Sequence, residues 1–272
     1  MGGDTDKGGF NIPIPETSAV VAGLGGLPFT MWIVTPLRNA LTLAGNNPGY
    51  TVGQCYSKAF AGGPFKGGMN MMIGAVPASI ALGPAFHAFY AMSGGNGAFA
   101  CGMAGLSESI ILYAPETRNA QLAFRGTTTQ GMLPWGPGLG YHISRNIVGM
   151  SGLRVFSEPT ANFLKTSSVG KSFDPLTLQI GSDLICNILT SALTTPLHMA
   201  YTWRACNPGD SKSVTDILRD QWMDKGRIRP TVGRDIFLRV AYNASIFTLY
   251  GNIERTVISN WNNDWDIWTV PK

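Results

Sequence analysis

Three arginines, Arg145, Arg234 and Arg239, are the residues of this sequence best placed to bind a substrate. Arg145 and Arg239 border long uncharged stretches, and all three lie within predicted membrane spans. A charged side chain is expensive in such surroundings and is by default a candidate for a functional site. The chemistry would be noncovalent recognition rather than catalysis. In the alternative interpretation these arginines line a vestigial cavity, pair with Asp235 or with backbone carbonyl groups, or bind lipid headgroups, and contact no substrate.

The other reactive residue types form no catalytic or metal-binding pattern. The four cysteines include no Cys-x-x-Cys pair, and none lies at metal-ligand spacing from the three histidines. We therefore expect four buried thiols and no metal or cofactor. His87 and His198 are most simply interpreted as hydrogen-bonded groups between helices. No Ser/His/Asp or Cys/His arrangement indicates an enzyme.

The composition disfavours a soluble protein. Charged residues make up 13% of the chain, about half of the ~25% that is usual in soluble globular proteins. So few charges do not cover an ordinary soluble surface, and the 34 glycines indicate closely packed helices. The net charge of +4 is not concentrated in a basic block, so a nucleic-acid partner is not expected.

The uncharged stretches predict membrane-spanning helices. Between Lys66 and Glu108 there are 41 uncharged residues, interrupted by the turn-forming run 93–97. A helix that crosses the hydrocarbon core needs about 20 mostly apolar residues. Six candidate spans follow, near 16–44, 67–92, 97–124, 137–163, 176–204 and 230–258.

An internal repeat organises these spans. Pro36, Pro115 and Pro196 lie 79 and 81 residues apart, each near the end of a helix rich in small residues. A proline kink is tolerated in a membrane helix where neighbouring groups satisfy the freed carbonyl. The aligned segments are VAGLGGLPFTMWIVTPLRNALTLA, ACGMAGLSESIILYAPETRNAQLA and IGSDLICNILTSALTTPLHMAYTW.

With these repeats the sequence resembles the mitochondrial carrier family over nearly its whole length. The third repeat matches best, in TSALTTPLHMAYTW and the following KGRIRPTVGRDIFLRVAYNASIFTLYGNIE. The resemblance implies an all-α membrane protein with six transmembrane helices, in three pseudo-threefold repeats with short matrix-side helices. The expected division is a single carrier-like domain with repeats 16–92, 97–163 and 176–258, an N-terminal tail 1–15 and a C-terminal tail 259–272.

Charges in the loops predict the orientation of this domain. The loops after the odd helices, 38–66, 116–136 and 204–229, contain 11 basic and 5 acidic residues, and the segments at the opposite end contain 6 and 10. By the positive-inside rule the first set faces the matrix. The predicted location is the mitochondrial inner membrane.

The gate motifs of the family are missing. Its odd helices carry Pro-x-acid-x-x-base, whose acids and bases pair into a ring that closes the matrix side reversibly. Here the acid positions hold Arg38, Thr117 and His198, and the base positions hold Leu41, Ala120 and Tyr201. Glu116 and Arg118 are adjacent to the expected positions but two residues apart, so they do not share a helix face. We therefore expect no interhelical salt bridge of that ring.

The opposite gate is also missing. The family's even helices carry aromatic-acid-x-x-base, whereas this chain keeps the aromatic residue and loses the charged pair at Tyr90–Gly94, Phe156–Thr160 and Tyr250–Glu254. An alternating-access transporter needs two states of similar free energy, each held by its own contacts. The sequence thus favours a non-transporting accessory subunit of a large inner-membrane assembly, most simply a respiratory-chain complex.

Two other functions stay open. One is a solute transporter with unusual gates, in which Arg145 and Arg239 occupy the positions where carriers contact substrate, with Arg234 near them. The other is an insertase-like role, which resembles that of degenerate carrier homologues in the outer membrane.

The resemblance also implies lipid sites and a partner contact. Cardiolipin would bind at Lys66–Gly67 and Lys225–Gly226, where a helix N-terminus offers free N–H groups, and at Gly136, where the motif lacks its base. Three tryptophans in the C-terminal tail, Trp261, Trp265 and Trp268, are expected to contact other subunits or the bilayer interface.

Overall fold

The computed structural model describes residues 22–80, 85–167 and 170–260, and these are mostly α-helical. The expectation of an all-α protein is therefore confirmed. The first half of the chain forms α1 (Leu27–Ile33), α2 (Thr35–Asn46), α3 (Val52–Ala61), α4 (Gly68–Ile80), α5 (Phe86–Met92) and α6 (Gly97–Arg125). The second half forms α7 (Leu139–Ser151), α8 (Ser157–Thr166), α9 (Pro175–Cys206), α10 (Val214–Trp222) and α11 (Thr231–Asn260).

Smaller elements connect or extend these helices. Two π-helical turns, Ala22–Gly26 and Gly152–Phe156, precede α1 and α8, and a 3-10 turn covers Gly170–Ser172. Between α10 and α11 the strands β1 (Met223–Asp224) and β2 (Arg227–Ile228) pair antiparallel, with Asp224 opposite Arg227.

The described helices group into six segments along the chain: α1–α2, α4 with α5, α6, α7–α8, α9 and α11. Residues 81–84, between α4 and α5, lie outside the described residues. Their positions agree with the six stretches that the charge spacing predicts. A short helix follows the first and the fifth segment, α3 and α10 respectively. The connection after α6 contains no helix in residues 126–138.

The segments pack as a closed ring in chain order, with α11 returning to α1 and α2. In addition α2, α6 and α9 contact one another. Gln121 Nε2 of α6 donates to the Ala205 carbonyl of α9 (2.8 Å), and Asn207 Nδ2 donates to Asn46 Oδ1 of α2 (3.1 Å). The C-terminal ends of the first, third and fifth segments therefore meet at one end of the bundle.

Small residues bring neighbouring helices close together. A Cβ on Gly105 of α6 would lie 2.8 Å from the Ile147 Cα of α7, and a Cβ on Gly74 of α4 would lie 2.6 Å from the Pro115 ring of α6. Close backbone approach is how helices associate where water does not drive them together. At these two positions the glycines permit close helix packing, as expected.

The three repeat prolines lie in different local structures. Pro36 follows a break at Val34 between α1 and α2, where Thr35 Oγ1 donates to the Met31 carbonyl (3.0 Å). Pro115 and Pro196 instead lie inside the unbroken helices α6 and α9. A helix break therefore accompanies only the first of the three predicted kinks.

The surface of the bundle is apolar and much of its centre is polar. On α9, six exposed side chains are Ile180, Leu184, Ile185, Ile188, Leu189 and Leu193. The buried charged residues Arg38, Glu116 and Arg145 lie inside. By length and mean hydropathy, one helix of the described chain, α6, is long and apolar enough to cross a membrane, a criterion that a buried helix of a soluble protein can also meet.

Candidate functional site

Glu116, on α6, is the centre of a buried cluster of charged and aromatic nitrogen groups. Its Oε2 accepts hydrogen bonds from Arg38 Nη2 of α2 (2.9 Å) and from Arg145 Nη2 of α7. The same oxygen lies 3.2 Å from His142 Nε2, also of α7. We refer to Arg38, Glu116, His142, Arg145 and His198 as the Glu116 cluster; all five are buried.

Arg145 extends the cluster to α9. Its Nη1 donates to His198 Nδ1, so that ring nitrogen is an acceptor and His198 is neutral with its proton on Nε2. His198 Nε2 then donates to Thr202 Oγ1 (3.3 Å). The Arg145 guanidinium also lies 4.7 Å from the centre of the Tyr201 ring, within the range of a cation–π contact.

Arg38 connects the cluster to its other neighbours. Its Nε donates to Asn119 Oδ1 of α6 (2.8 Å), and its Nη1 donates to the Tyr242 hydroxyl of α11 (3.0 Å). Asn119 Nδ2 in turn donates to the Lys66 carbonyl (3.1 Å), just before α4. One carboxylate and two guanidinium groups therefore bind the first, third, fourth, fifth and sixth segments into one network.

No described acid at a motif position pairs with a base at a motif position, but an interhelical ion pair that the sequence analysis did not anticipate forms beside the gate positions. Arg38, at an expected acid position, pairs with Glu116 across the α2–α6 contact. The acid is displaced by one residue from Thr117, and its second arginine comes from α7 rather than from an odd segment. The acid lies one residue outside the motif position and its second partner lies on an even segment, so a comparison confined to the motif positions does not find this pairing.

Two further gate positions meet through hydroxyl groups. Thr117 Oγ1 of α6, at an acid position, lies 3.0 Å from the Tyr201 hydroxyl of α9, at a base position. This neutral hydrogen bond joins the third and fifth segments where a charged pair would stand in the family. Neither partner is charged, so burying this hydrogen bond costs less desolvation free energy than burying an ion pair would. It adds a contact at the end of the bundle where the odd segments meet.

A cavity of about 100 Å³ adjoins the cluster in the centre of the bundle. Glu116 and Arg145 belong to the cluster and also line the cavity. Glu108 and Arg239 line the cavity without belonging to the cluster. Arg239 is buried, and its Nε has no hydrogen-bond partner in the part of the chain that the structure describes. Asn187 also lines the cavity, and its buried Nδ2 likewise has no hydrogen-bond partner among the described residues.

Arg234 lies apart from the other two predicted site arginines. It is not among the residues that line the cavity, and its guanidinium instead donates to the carbonyls of Ala44, Asn47 and Tyr50. It also pairs with Asp235 at 2.7 Å. The grouping of Arg234 with the other two arginines is therefore corrected: this side chain joins the start of α11 to the end of α2 and to the connection between α2 and α3.

The predicted lipid sites have three different geometries. Lys66–Gly67 immediately precedes α4, as expected, and a Cβ on Gly67 would lie 2.4 Å from Asn119 Nδ2. Gly136 lies three residues before α7, and a Cβ there would lie 2.6 Å from the Tyr113 hydroxyl. Lys225 and Gly226 do not begin a helix; they form the turn between β1 and β2, both with positive φ, 47° and 79°.

Other predicted residues have simple outcomes. Cys55, Cys101, Cys186 and Cys206 are free and buried, as expected. Trp261, Trp265 and Trp268 lie outside the described residues. The sequence analysis did not assign Glu116 or His142 to a site, although an acid directly after a repeat proline, within a predicted membrane span, is a signal that could have singled out Glu116.

Comparison of this sequence with protein-family models and with curated proteins gives no match.

Proposed function

We propose that this chain is a degenerate mitochondrial carrier that has lost transport and serves as a structural subunit of a large inner-membrane assembly, most simply a respiratory-chain complex. Its location is then the inner membrane, with the Glu116 cluster on the matrix side. Its partners are other subunits and phospholipids, cardiolipin above all.

The packing supports carrier ancestry. Six helical segments form a ring, the odd segments converge at one end, and short helices follow the first and fifth segments. The polar interior and the exposed apolar side chains of α9 support a lipid environment, because a soluble protein rarely exposes so continuous an apolar face. The resemblance in sequence rests on the repeat prolines and on the third repeat.

The observation that carries the proposal is the asymmetry between the two ends of the bundle. At one end a buried carboxylate holds two arginines from different segments. Removing one partner from a buried ion pair typically costs about 3–5 kcal/mol. At the other end, the three expected acid positions hold Ala91, Ser157 and Gly251. Among the described residues, the Ser157 side chain hydrogen-bonds within the contact between α8 and α9. One closed state is thus strongly favoured, whereas transport requires two states of similar free energy.

Access to the cavity from each side of the membrane tests this single-state account. A cysteine introduced by Thr194→Cys lines the cavity, and replacing the four native cysteines by alanine leaves it as the single thiol of the chain. In proteoliposomes of known orientation, a membrane-impermeant maleimide should modify it from one face at most. The exposed position Thr127→Cys should react from the matrix face and serves as the control for the reagent. Modification of residue 194 from both faces would show alternating access and contradict the proposal.

A solute transporter is the second candidate, and the unpartnered donors of the cavity favour it. Arg239 Nε and Asn187 Nδ2 are buried hydrogen-bond donors facing a polar cavity. A bound solute with acceptor oxygens would satisfy them. Charge-paired Glu116 and Arg145 would then form one wall of that site.

Arg239→Met separates the two candidates. In the structural account this change removes a buried charge that has no ion pair among the described residues, so we expect thermal stability in mild detergent to stay equal or rise. Assembly into the host complex should also be retained. Loss of uptake of a solute by an otherwise stable, assembled variant would establish the transporter instead.

A further inference from the structure

The connection between α6 and α7 is a well-ordered loop in spite of lacking a helix. Gln121 Oε1 accepts hydrogen bonds from Thr128 Oγ1 and from the backbone N–H groups of Thr129 and Gln130, at 2.8–3.0 Å. The Gln130 side chain donates to the carbonyls of Leu133 and Trp135 (2.9 and 3.2 Å). These bonds hold the turn 130–135 in one shape.

Arg118 fixes the same turn to the bundle. Its Nη1 donates to the Gln130 carbonyl (2.9 Å), and its Nε donates to Asn70 Oδ1 of α4 (3.2 Å). The loop is therefore attached to two helices and presented in a fixed position, rather than folded over the interior.

This fixed turn presents three large apolar side chains to the outside. Met132, Leu133 and Trp135 are 67%, 71% and 66% exposed. A loop tip of a soluble protein is usually polar, and an apolar group that a hydrogen-bonded turn holds on the outside is placed to be covered. No described element of this chain covers them.

The charge around the loop indicates what covers it. The sequence from 117 to 157 contains no acidic residue. Exposed Arg125 ends α6, and the Lys66 ammonium lies 3.5 Å from the position of a Cβ on Gly126. An apolar tip with basic side chains beside it is complementary to an anionic lipid surface, in which apolar groups enter the acyl region and cations meet the headgroups.

The position along the chain agrees. The loop begins directly after α6, the helix whose length and hydropathy suit a membrane span, so its tip lies where such a span would leave the bilayer. Tryptophan is enriched at that depth because its ring is apolar and its N–H is polar.

We infer that the turn 130–135 dips into the anionic leaflet on its side of the membrane, with Met132, Leu133 and Trp135 among the lipid chains and Arg125 and Lys66 at the headgroups. The second repeat thus has a membrane-dipping loop at the position where the other two have a short helix. This inference rests on the proposed membrane location.

A fluorophore at the tip tests the inference. Leu133→Cys can be labelled selectively because the native thiols are buried. Burial also raises the pKa of the Cys55 thiol, which lowers the fraction of the reactive thiolate. The labelled full-length protein is reconstituted in phosphatidylcholine vesicles with and without cardiolipin. We expect a blue-shifted emission and quenching by a nitroxide on the lipid chain, both stronger with cardiolipin. Thr127→Cys, exposed in the same loop before the turn, is the matched control and should stay closer to water.

The outcomes separate this inference from the proposed function. If the protein floats with the vesicles and the labels at residues 133 and 127 are equally exposed to water in both lipid mixtures, the loop inference is wrong and the membrane location stands. If residue 133 is wet in vesicles but protected in native membranes, a protein partner covers the turn and the lipid assignment is overturned. If the protein does not float with the vesicles, the membrane location itself fails.

Discussion

Glu116→Gln should lower the stability of this protein by about 3–5 kcal/mol, because it leaves Arg38 and Arg145 as buried positive charges that share no carboxylate. The measurement is the midpoint of thermal unfolding in mild detergent. Glu158→Gln is the matched control: Glu158 is an exposed acid on α8, and its neutralisation should change the midpoint little.

A double variant shows whether the loss is electrostatic. Adding Arg38→Met to Glu116→Gln removes one of the two unmatched charges, so the double variant should lose less stability than the sum of the two single changes. Strict additivity, or a Glu116→Gln protein as stable as Glu158→Gln, would show that the Glu116 cluster does not hold the odd segments together.

Arg234→Met should lower the free energy of unfolding by a similar amount, for a different reason. It removes the hydrogen bonds that the guanidinium donates to the carbonyls of Ala44, Asn47 and Tyr50, at the end of α2 and just after it. It also leaves the fully buried Asp235 with Trp222 Nε1 (2.8 Å) as its hydrogen-bond partner among the described residues. An uncompensated buried carboxylate typically costs about 3–5 kcal/mol. The readout is again the thermal midpoint in mild detergent.

Controls for Arg234 come from the same region. Arg219→Met on α10 removes an arginine that is 66% exposed and lies 3.6 Å from exposed Asp216, a surface pair worth about 0–1 kcal/mol. Adding Asp235→Asn to Arg234→Met should recover part of the loss. If the Arg234→Met and Arg219→Met proteins have the same thermal midpoint, the role of Arg234 in joining α2 to α11 is contradicted.

The helices follow from features that are local in the sequence. Long intervals without charge predict the six segments, and the recurrence of proline every 79–81 residues predicts their grouping. Buried cysteines and close glycine contacts also follow, because small apolar residues without chemical partners serve packing. These properties depend on composition and spacing alone.

The Glu116 cluster depends on long-range packing. Glu116 and Arg145 are 29 residues apart and Arg38 and Glu116 are 78 apart, so their contact is set by how three helices pack. The error at Lys225–Gly226 has a local cause. A Lys–Gly pair with both φ values positive forms a tight hairpin turn, and this turn prevents the helix from starting before Thr231.

Co-migration on a native gel tests the central claim most directly. A mild-detergent extract of mitochondria from the source organism is separated, probed for this chain, and each band that contains it is identified. The structural account predicts that the chain migrates within one large complex at fixed stoichiometry, and that Arg239→Met leaves this unchanged. Migration as a free small species, with no fixed companion, would contradict a structural subunit and support a carrier that works alone.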